Sequence, residues 1–315
     1  MQAHAEELRP RWKTLLAFAI IYFVWGSTFF AIRVGVAEVP PLLLAALRFT
    51  IAGVAMFAWS LARREAAPKG REWASVFVIA LMIFVLDYGL LFWAEKQVPS
   101  GVAAVVLATI PAFMAVAEIL FLGTQRMSWR LGLALAIGVV GVAILTGVGG
   151  ARFGKAAIDA VGATALVVAA ASWAIASVLT RKLPLPRSKE MSSGAQMLAG
   201  GVMLTGASAG FGEWRGFQWG QVSVGAWVAL GYLIVFGSII GFTAYVWLIH
   251  HESPTKVGTY AYVNPVVAVV VGYWLGGEPL GLRTVLGSVL VLVSVVAITT
   301  GKKQGTREQG PGNRE

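Results

Sequence analysis

Apolar stretches of about twenty residues recur along the chain, separated by short polar joins. They predict ten membrane-spanning helices at 14–36, 41–61, 73–94, 99–123, 129–148, 157–180, 192–211, 222–249, 254–276 and 281–301. About 20 helical residues rise ~30 Å, the thickness of a bilayer's hydrocarbon core. Prolines at Pro40-Pro41, Pro68, Pro99, Pro184, Pro186 and Pro254 punctuate the joins. Residues 1–13 are polar, with Arg9, Arg11 and Lys13 just ahead of the first span. No small-residue cleavage site follows a short apolar core there, so the first helix is expected to be retained.

The stretch from Ser253 to Pro279 says most. From Val257 to Gly276 it runs 20 residues without a charge. Pro254 suits a first helical turn, and Gly276-Gly277 followed by Pro279 suits an end. Lys256 lies in that first turn, where the helix dipole disfavours a cation. At 100° per residue, Lys256, Tyr260, Val263, Val267 and Trp274 share one stripe. Pro265 has no N–H, which frees the carbonyl of Ala261 in mid-span. Lysine, tyrosine and a freed carbonyl can make a polar path; an interfacial lysine that snorkels and a packing kink are the other reading.

The chain also repeats itself. At an offset of 148, Trp25 falls on Trp173, Arg33 on Arg181 and Gly53 on Gly201. At 154, Trp93 falls on Trp247, Pro111 on Pro265, Gly123 on Gly277 and Thr146-Gly147 on Thr300-Gly301. An odd number of spans in each half requires the halves to be inverted. The expected fold is therefore all-α integral membrane, two inverted five-helix repeats at 14–148 and 157–301, with polar cytoplasmic tails at 1–13 and 302–315.

Composition agrees. Hydrophobic residues make up 57 % and charged residues 13 %, against about 45–50 % and ~25 % in soluble domains. The net charge of +10 is explained by position rather than by nucleic acid. With the N-terminus inside, 17 Lys and Arg fall in inner segments and 5 in outer ones, while Arg33, Arg48 and Lys256 fall within helices. Positive-inside bias places both termini in the cytoplasm. The chain has no cysteine, which excludes disulfides and thiolate chemistry. Glycines number 37, and Gly206-Ala-Ser-Ala-Gly210 and Gly237-Ser-Ile-Ile-Gly241 fit close helix packing.

Candidate site residues are those that break the repeat, since scaffold should recur and substrate contacts need not. Asp87 falls opposite Gly241, Glu118 opposite Gly272 and Lys256 opposite Val102. Ionisable groups at membrane depth mark pathways or relays. Asp87, next to Tyr88, and Glu118 are candidates for substrate or proton handling; a buried structural pair with Arg48 is the competing reading. Trp25 and Trp173, near the middles of symmetry-related first helices, are candidate cavity-lining residues. The expected substrate site is Trp25, Asp87, Tyr88, Trp173, Lys256 and Tyr260, with Asp87 or Glu118 able to couple protons. His250-His251-Glu252 reads as a short cytoplasmic loop, and no metal is expected.

Ser253-Pro-Thr-Lys-Val-Gly-Thr-Tyr-Ala-Tyr-Val-Asn-Pro-Val-Val-Ala268 resembles the ninth-helix signature of EamA-type carriers in the drug/metabolite transporter superfamily. So do Trp25-Gly-Ser-Thr-Phe-Phe-Ala-Ile-Arg33, Pro40-Pro-Leu-Leu-Leu-Ala-Ala-Leu-Arg48-Phe49 and Tyr88-Gly-Leu-Leu-Phe-Trp-Ala-Glu95. One departure is Gly123-Thr-Gln-Arg126, where such carriers often read Gly-Glu-Arg. The resemblance implies export of small metabolites, amino acids and related zwitterions among them, across the inner membrane by alternating access. No P-loop occurs, so neither ATP nor any cofactor is expected. No H-E-x-x-H or G-x-S-x-G occurs either, so the chain reads as a non-enzyme. Its partners are a small solute and the bilayer, as a monomer or homodimer. A channel or facilitator for small polar solutes is the alternative, but channels want rings of repeated carbonyls or like charges.

Overall fold

The computed structural model describes residues 11–94, 106–124, 127–146, 160–276 and 282–300. These form helical runs α1 (Arg11–Val36), α2 (Pro41–Ala62), α3 (Arg71–Ala94), α4 (Ile110–Leu122), α5 (Trp129–Thr146), α6 (Ala160–Leu179), α7 (Lys189–Gly210), α8 (Val224–His251), α9 (Tyr260–Gly276) and α10 (Leu282–Thr300). Among the described residues, α1, α2, α3 and α8 are long and apolar enough to cross a membrane, and parts of α4, α5, α6 and α10 are shorter apolar helices. α7 is less apolar because Ser192, Ser193, Gln196 and Ser208 are in it. All four are buried between helices, so lipid does not meet them. The outward face is the reverse. Phe23, Phe30, Ile51, Val54, Phe77, Val78 and Leu81 are exposed large apolar side chains, an apolar rim that only hydrocarbon solvates well. The predicted starts at 99 and 157, with Glu95, Gly147, Gly277 and Gly301, lie outside the described residues.

The helix interfaces come in related sets. The two most extensive join α2 to α7 and α5 to α10, helices five places apart in the chain. α3 packs on α6 as α8 packs on α1, and α4 packs on α6 as α9 packs on α1. Advancing each label by five exchanges these contacts. Gly53 and Gly201, a repeat pair in the sequence, lie on the α2–α7 interface. A Cβ on Gly201 would stand 2.5 Å from Thr50 N, and one on Gly53 would strike the backbone of Leu198. By contrast Gly206 and Gly210 have no neighbour within 4 Å of an added Cβ. That GxxxG does not serve close packing among the described residues; Gly53, Gly194 and Gly201 do.

Among the described residues four runs widen into π-helical turns, at Ile20–Val24, Leu81–Gly89, Glu118–Leu122 and Leu233–Ile240. Two of these fall at equivalent places in α3 and α8. Ser172 Oγ on α6 donates to Met82 O at 2.8 Å, and Trp25 Nε1 on α1 donates to Gly237 O at 2.9 Å. A first-helix side chain of each half thus takes up a carbonyl from the π turn of the other half.

Both ends of the bundle are fastened by carboxylates. At one end Glu213 accepts from Leu43 N (2.8 Å), Leu42 N (3.3 Å) and Ser208 Oγ (2.8 Å). It supplies the N-terminus of α2 with the cap that Pro40 cannot. Beside it Glu38 accepts from Ser223 N at 2.6 Å and Ser223 Oγ at 2.7 Å, joining the start of α8 to the α1–α2 connection. The backbone and then the hydroxyl of Ser223 hold the Glu38 carboxyl below its ordinary pKa. A depressed pKa means the contact is present above the ordinary carboxylate range and is lost as pH falls through the lowered value. At the other end Ser188 donates to the Glu65 carboxylate, and Arg181 Nη1 reaches the backbone carbonyl of Glu252 at 3.5 Å.

Candidate functional site

Four aromatic side chains meet where α1, α6, α8 and α9 converge. Trp25 lies 5.6 Å from Trp173, 5.2 Å from Tyr245 and 4.9 Å from Tyr260, ring centre to ring centre. Trp173 lies 5.1 Å from Tyr245 and 6.3 Å from Tyr260, and the two tyrosines are 6.0 Å apart. All four are buried. Such contacts add about 0.5–1.5 kcal/mol per pair beyond the area buried. Trp25 is held by its bond to Gly237 O, and the absent side chain of Gly241 leaves room for its indole. Tyr245 bonds Ser177, which also donates to Trp173 O at 2.6 Å. The Trp173 side chain also reaches the hydroxyls of Tyr245 and Tyr260.

A charged layer adjoins this cluster. Tyr88 packs 5.8 Å from Trp173 and 4.8 Å from Phe49. Arg48 on α2 is 1 % exposed, with its guanidinium 4.7 Å from the Phe49 ring and 5.4 Å from the Tyr88 ring. Its Nε donates to Ser238 Oγ at 2.8 Å, in the π turn of α8. Asp87 is 4 % exposed and close enough to act electrostatically on Tyr88, Tyr245 and Tyr260. Among the described residues Asp87 accepts no hydrogen bond and forms no ion pair, with Arg48 or otherwise. Burying a carboxylate and a guanidinium without pairing them costs several kcal/mol. The arrangement is therefore not one that stability alone would select.

The other two predicted charges lie elsewhere. Glu118 is buried and accepts from Thr255 N (3.2 Å), Thr255 Oγ1 (3.0 Å) and Thr124 Oγ1 (3.0 Å). It caps the short helix Pro254–Val257 that precedes α9, tying α4 to the α8–α9 connection. Glu118→Ala should lower the unfolding free energy by roughly 1–3 kcal/mol, the cost of stranding buried donors. Thermal unfolding in detergent checks this, and Glu118→Gln should recover part of the loss.

Lys256 does not join the aromatic cluster. Its Nζ meets Glu252 Oε2 at 3.7 Å with about a third of the side chain exposed, as the interfacial reading expects. The predicted stripe fails because Gly258 and Thr259 interrupt the helix between Lys256 and Tyr260. A Cβ on Gly258 would stand 2.6 Å from Met114 Sδ and 3.3 Å from Pro111 Cα, so α4 and the α9 approach touch at this break. Tyr22 in α1 bonds Thr259 Oγ1 at 2.6 Å across it. Beyond the break, Tyr260, Val263 and Val267 are buried whereas Trp274 is 79 % exposed. Pro111, inside the predicted span 99–123, occupies the first turn of α4, after a turn at Ala108–Thr109.

A cavity of about 40 Å³ opens beside Tyr260, lined by Phe29, Leu107, Ile110, Ala261, Asn264 and Pro265. With its amide turned to suit its neighbours, Asn264 donates to Tyr260 O at 3.1 Å and Tyr22 O at 3.3 Å. Sequence reasoning did not assign Tyr245, Arg48 or Ser238 to the site. Tyr245 and Arg48 carried a usable signal, being polar-tipped side chains inside predicted spans.

Comparison with known proteins completes the picture. The model of the EamA-like transporter family matches residues 12–147 and again 160–300. The chain is 39 % identical over 298 residues to the uncharacterized inner membrane transporter YedA of Escherichia coli K12, covering 94 % of this chain and 92 % of that one. It is 25 % identical to the uncharacterized transporter YvbV of Bacillus subtilis, over 93 % of this chain and 94 % of the relative. A solved crystal structure superposes with a TM-score of 0.76 at 22 % identity, over 92 % of this chain and 96 % of its own, which shows a shared fold. With two family matches spanning nearly all described helices, and with a buried aromatic and charged centre between them, the chain belongs to the EamA-like transporter family.

Proposed function

We propose that this chain is a secondary transporter that exports small metabolites, amino acids or related zwitterions among them, across the inner membrane by alternating access. In this reading ten helices span the bilayer as two inverted five-helix repeats, 14–148 and 157–301, with both termini cytoplasmic. The observation that carries it is the central cluster. Trp25 and Trp173, related by the repeat, meet face to edge at 5.6 Å, beside a buried guanidinium and a buried carboxylate that among the described residues form no ion pair. Midplane sites between repeats are where such carriers bind their solutes. Fastened ends around a closed centre favour a carrier over a channel, which needs a continuous path.

The site in this proposal is Trp25, Asp87, Tyr88, Trp173 and Tyr260, joined by Tyr245. Lys256 leaves it for the rim. Glu118 is fully engaged in capping, so proton coupling, if any, falls to Asp87. The direct test is uptake and counterflow in proteoliposomes with a panel of radiolabelled amino acids and small organic solutes. Saturable counterflow without ATP is the expected result; linear, non-saturating flux would favour the channel. Topology has its own test. Alkaline phosphatase fused after Lys303 should be inactive and a fluorescent protein fused there should glow. The reverse would overturn the cytoplasmic termini.

A further inference from the structure

Arg48 is the largest fully buried side chain among the described residues, and it is incompletely bonded. Its Nε is used by Ser238. Nη2 lies against Gly237, where a Cβ would stand 2.9 Å away, so that glycine leaves space for the guanidinium. Nη1 is buried and has no hydrogen-bond partner. The rings of Phe49 and Tyr88 lie against the guanidinium and the Tyr88 side chain also hydrogen-bonds it, so among the described residues Nη1 is the nitrogen left over.

An arginine kept for the fold would be fully paired, and its removal would strand its partners and lower stability. A desolvated guanidinium with a free Nη1 instead suits a carboxylate oxygen as its missing partner. Next to it, through Tyr88 and Trp173, stands the aromatic cluster, a surface for an apolar or aromatic body. We infer that Arg48 anchors the carboxylate of the transported solute, so that this carrier selects small organic acids or amino acids with an apolar side. The inference rests on the carrier reading above, and gives to Arg48 the cationic role that the sequence suggested for Lys256.

The test uses the full-length chain purified in detergent. Melting temperature is measured with L-phenylalanine, L-leucine and benzoate, with L-phenylalaninamide, L-leucinamide and benzamide, and with inorganic phosphate. The expected result is that at least one carboxylate raises the melting temperature while its amide and phosphate do not, and that Arg48→Met abolishes the shift. Without solute, Arg48→Met should melt at or above the wild-type temperature, since an unpaired buried charge is removed. A structural role predicts the opposite, a lower unliganded melting temperature restored by Arg48→Lys. The inference is overturned by that outcome, by equal shifts from amide or phosphate, by no shift from any carboxylate, or by an undiminished shift in Arg48→Met. Counterflow of neutral or cationic solutes alone would reject the anchor and leave the carrier standing. Absence of any solute movement would reject the carrier itself.

Discussion

Gly53→Val and Gly201→Val should each leave little folded, monodisperse protein, while Gly206→Ala and Gly210→Ala should behave as wild type. The first two residues stand where α2 and α7 touch backbone to backbone. An added Cβ at Gly201 would lie 2.5 Å from Thr50 N and 2.7 Å from Thr50 Cα. Backbone cannot rotate aside as a side chain can, so the helices must separate along their whole length. Overpacking costs ~1–3 kcal/mol in ordinary cores and more where nothing yields. In a membrane the interface has little hydrophobic drive to compensate, because its stability comes from close packing. Gly206 and Gly210 face open space, and alanine favours the helix by ~1 kcal/mol over glycine. Size-exclusion profiles and melting curves of the four variants decide the matter. Equal tolerance at all four positions would mean that α2 and α7 do not meet as described.

Asp87→Asn should have the reverse signature, with protein intact and transport lost. The carboxylate is buried and accepts no hydrogen bond among the described residues, so the amide should not destabilise the fold. If Asp87 binds a substrate ammonium or carries a proton, the variant loses a charged hydrogen bond worth about 1.5–3 kcal/mol, or roughly 10- to 100-fold in transport. Coupling can be read separately. Flux through wild type should respond to an imposed pH gradient, and counterflow through Asp87→Asn should not. Wild-type counterflow indifferent to that gradient would remove proton coupling and leave a facilitator.

The sequence shows the broad plan because membrane spans obey a length rule and repeats obey an offset. Trp25 and Trp173 were visible as partners through that offset, and their rings do meet. Gly53 and Gly201 were visible in the same way, although what they share is an interface. The stripe from Lys256 to Trp274 does not run through because periodicity assumes an unbroken helix, and the break at Gly258–Thr259, where Met114 and Tyr22 make contact, is not written in that pattern. Glu118 could not be understood from its own neighbourhood, since the donors that occupy it come chiefly from Thr255, 137 residues away. The π turns are equally silent in the sequence. Those in α3 and α8 have a carbonyl bonded by Ser172 and Trp25 of the other half, and no local pattern records that.

The proposed alternating access requires that the end held by Glu38 and Ser223 open and close in each cycle. The chain has no cysteine, so a single pair can be introduced without removing others. Glu38→Cys with Ser223→Cys, reconstituted and treated with a short, reducible thiol cross-linker, is the most direct measurement. Transport should stop on cross-linking and return on reduction, while each single-cysteine variant is unaffected by the reagent. Full transport through cross-linked protein would contradict the account, because solute would then be crossing without that end ever opening.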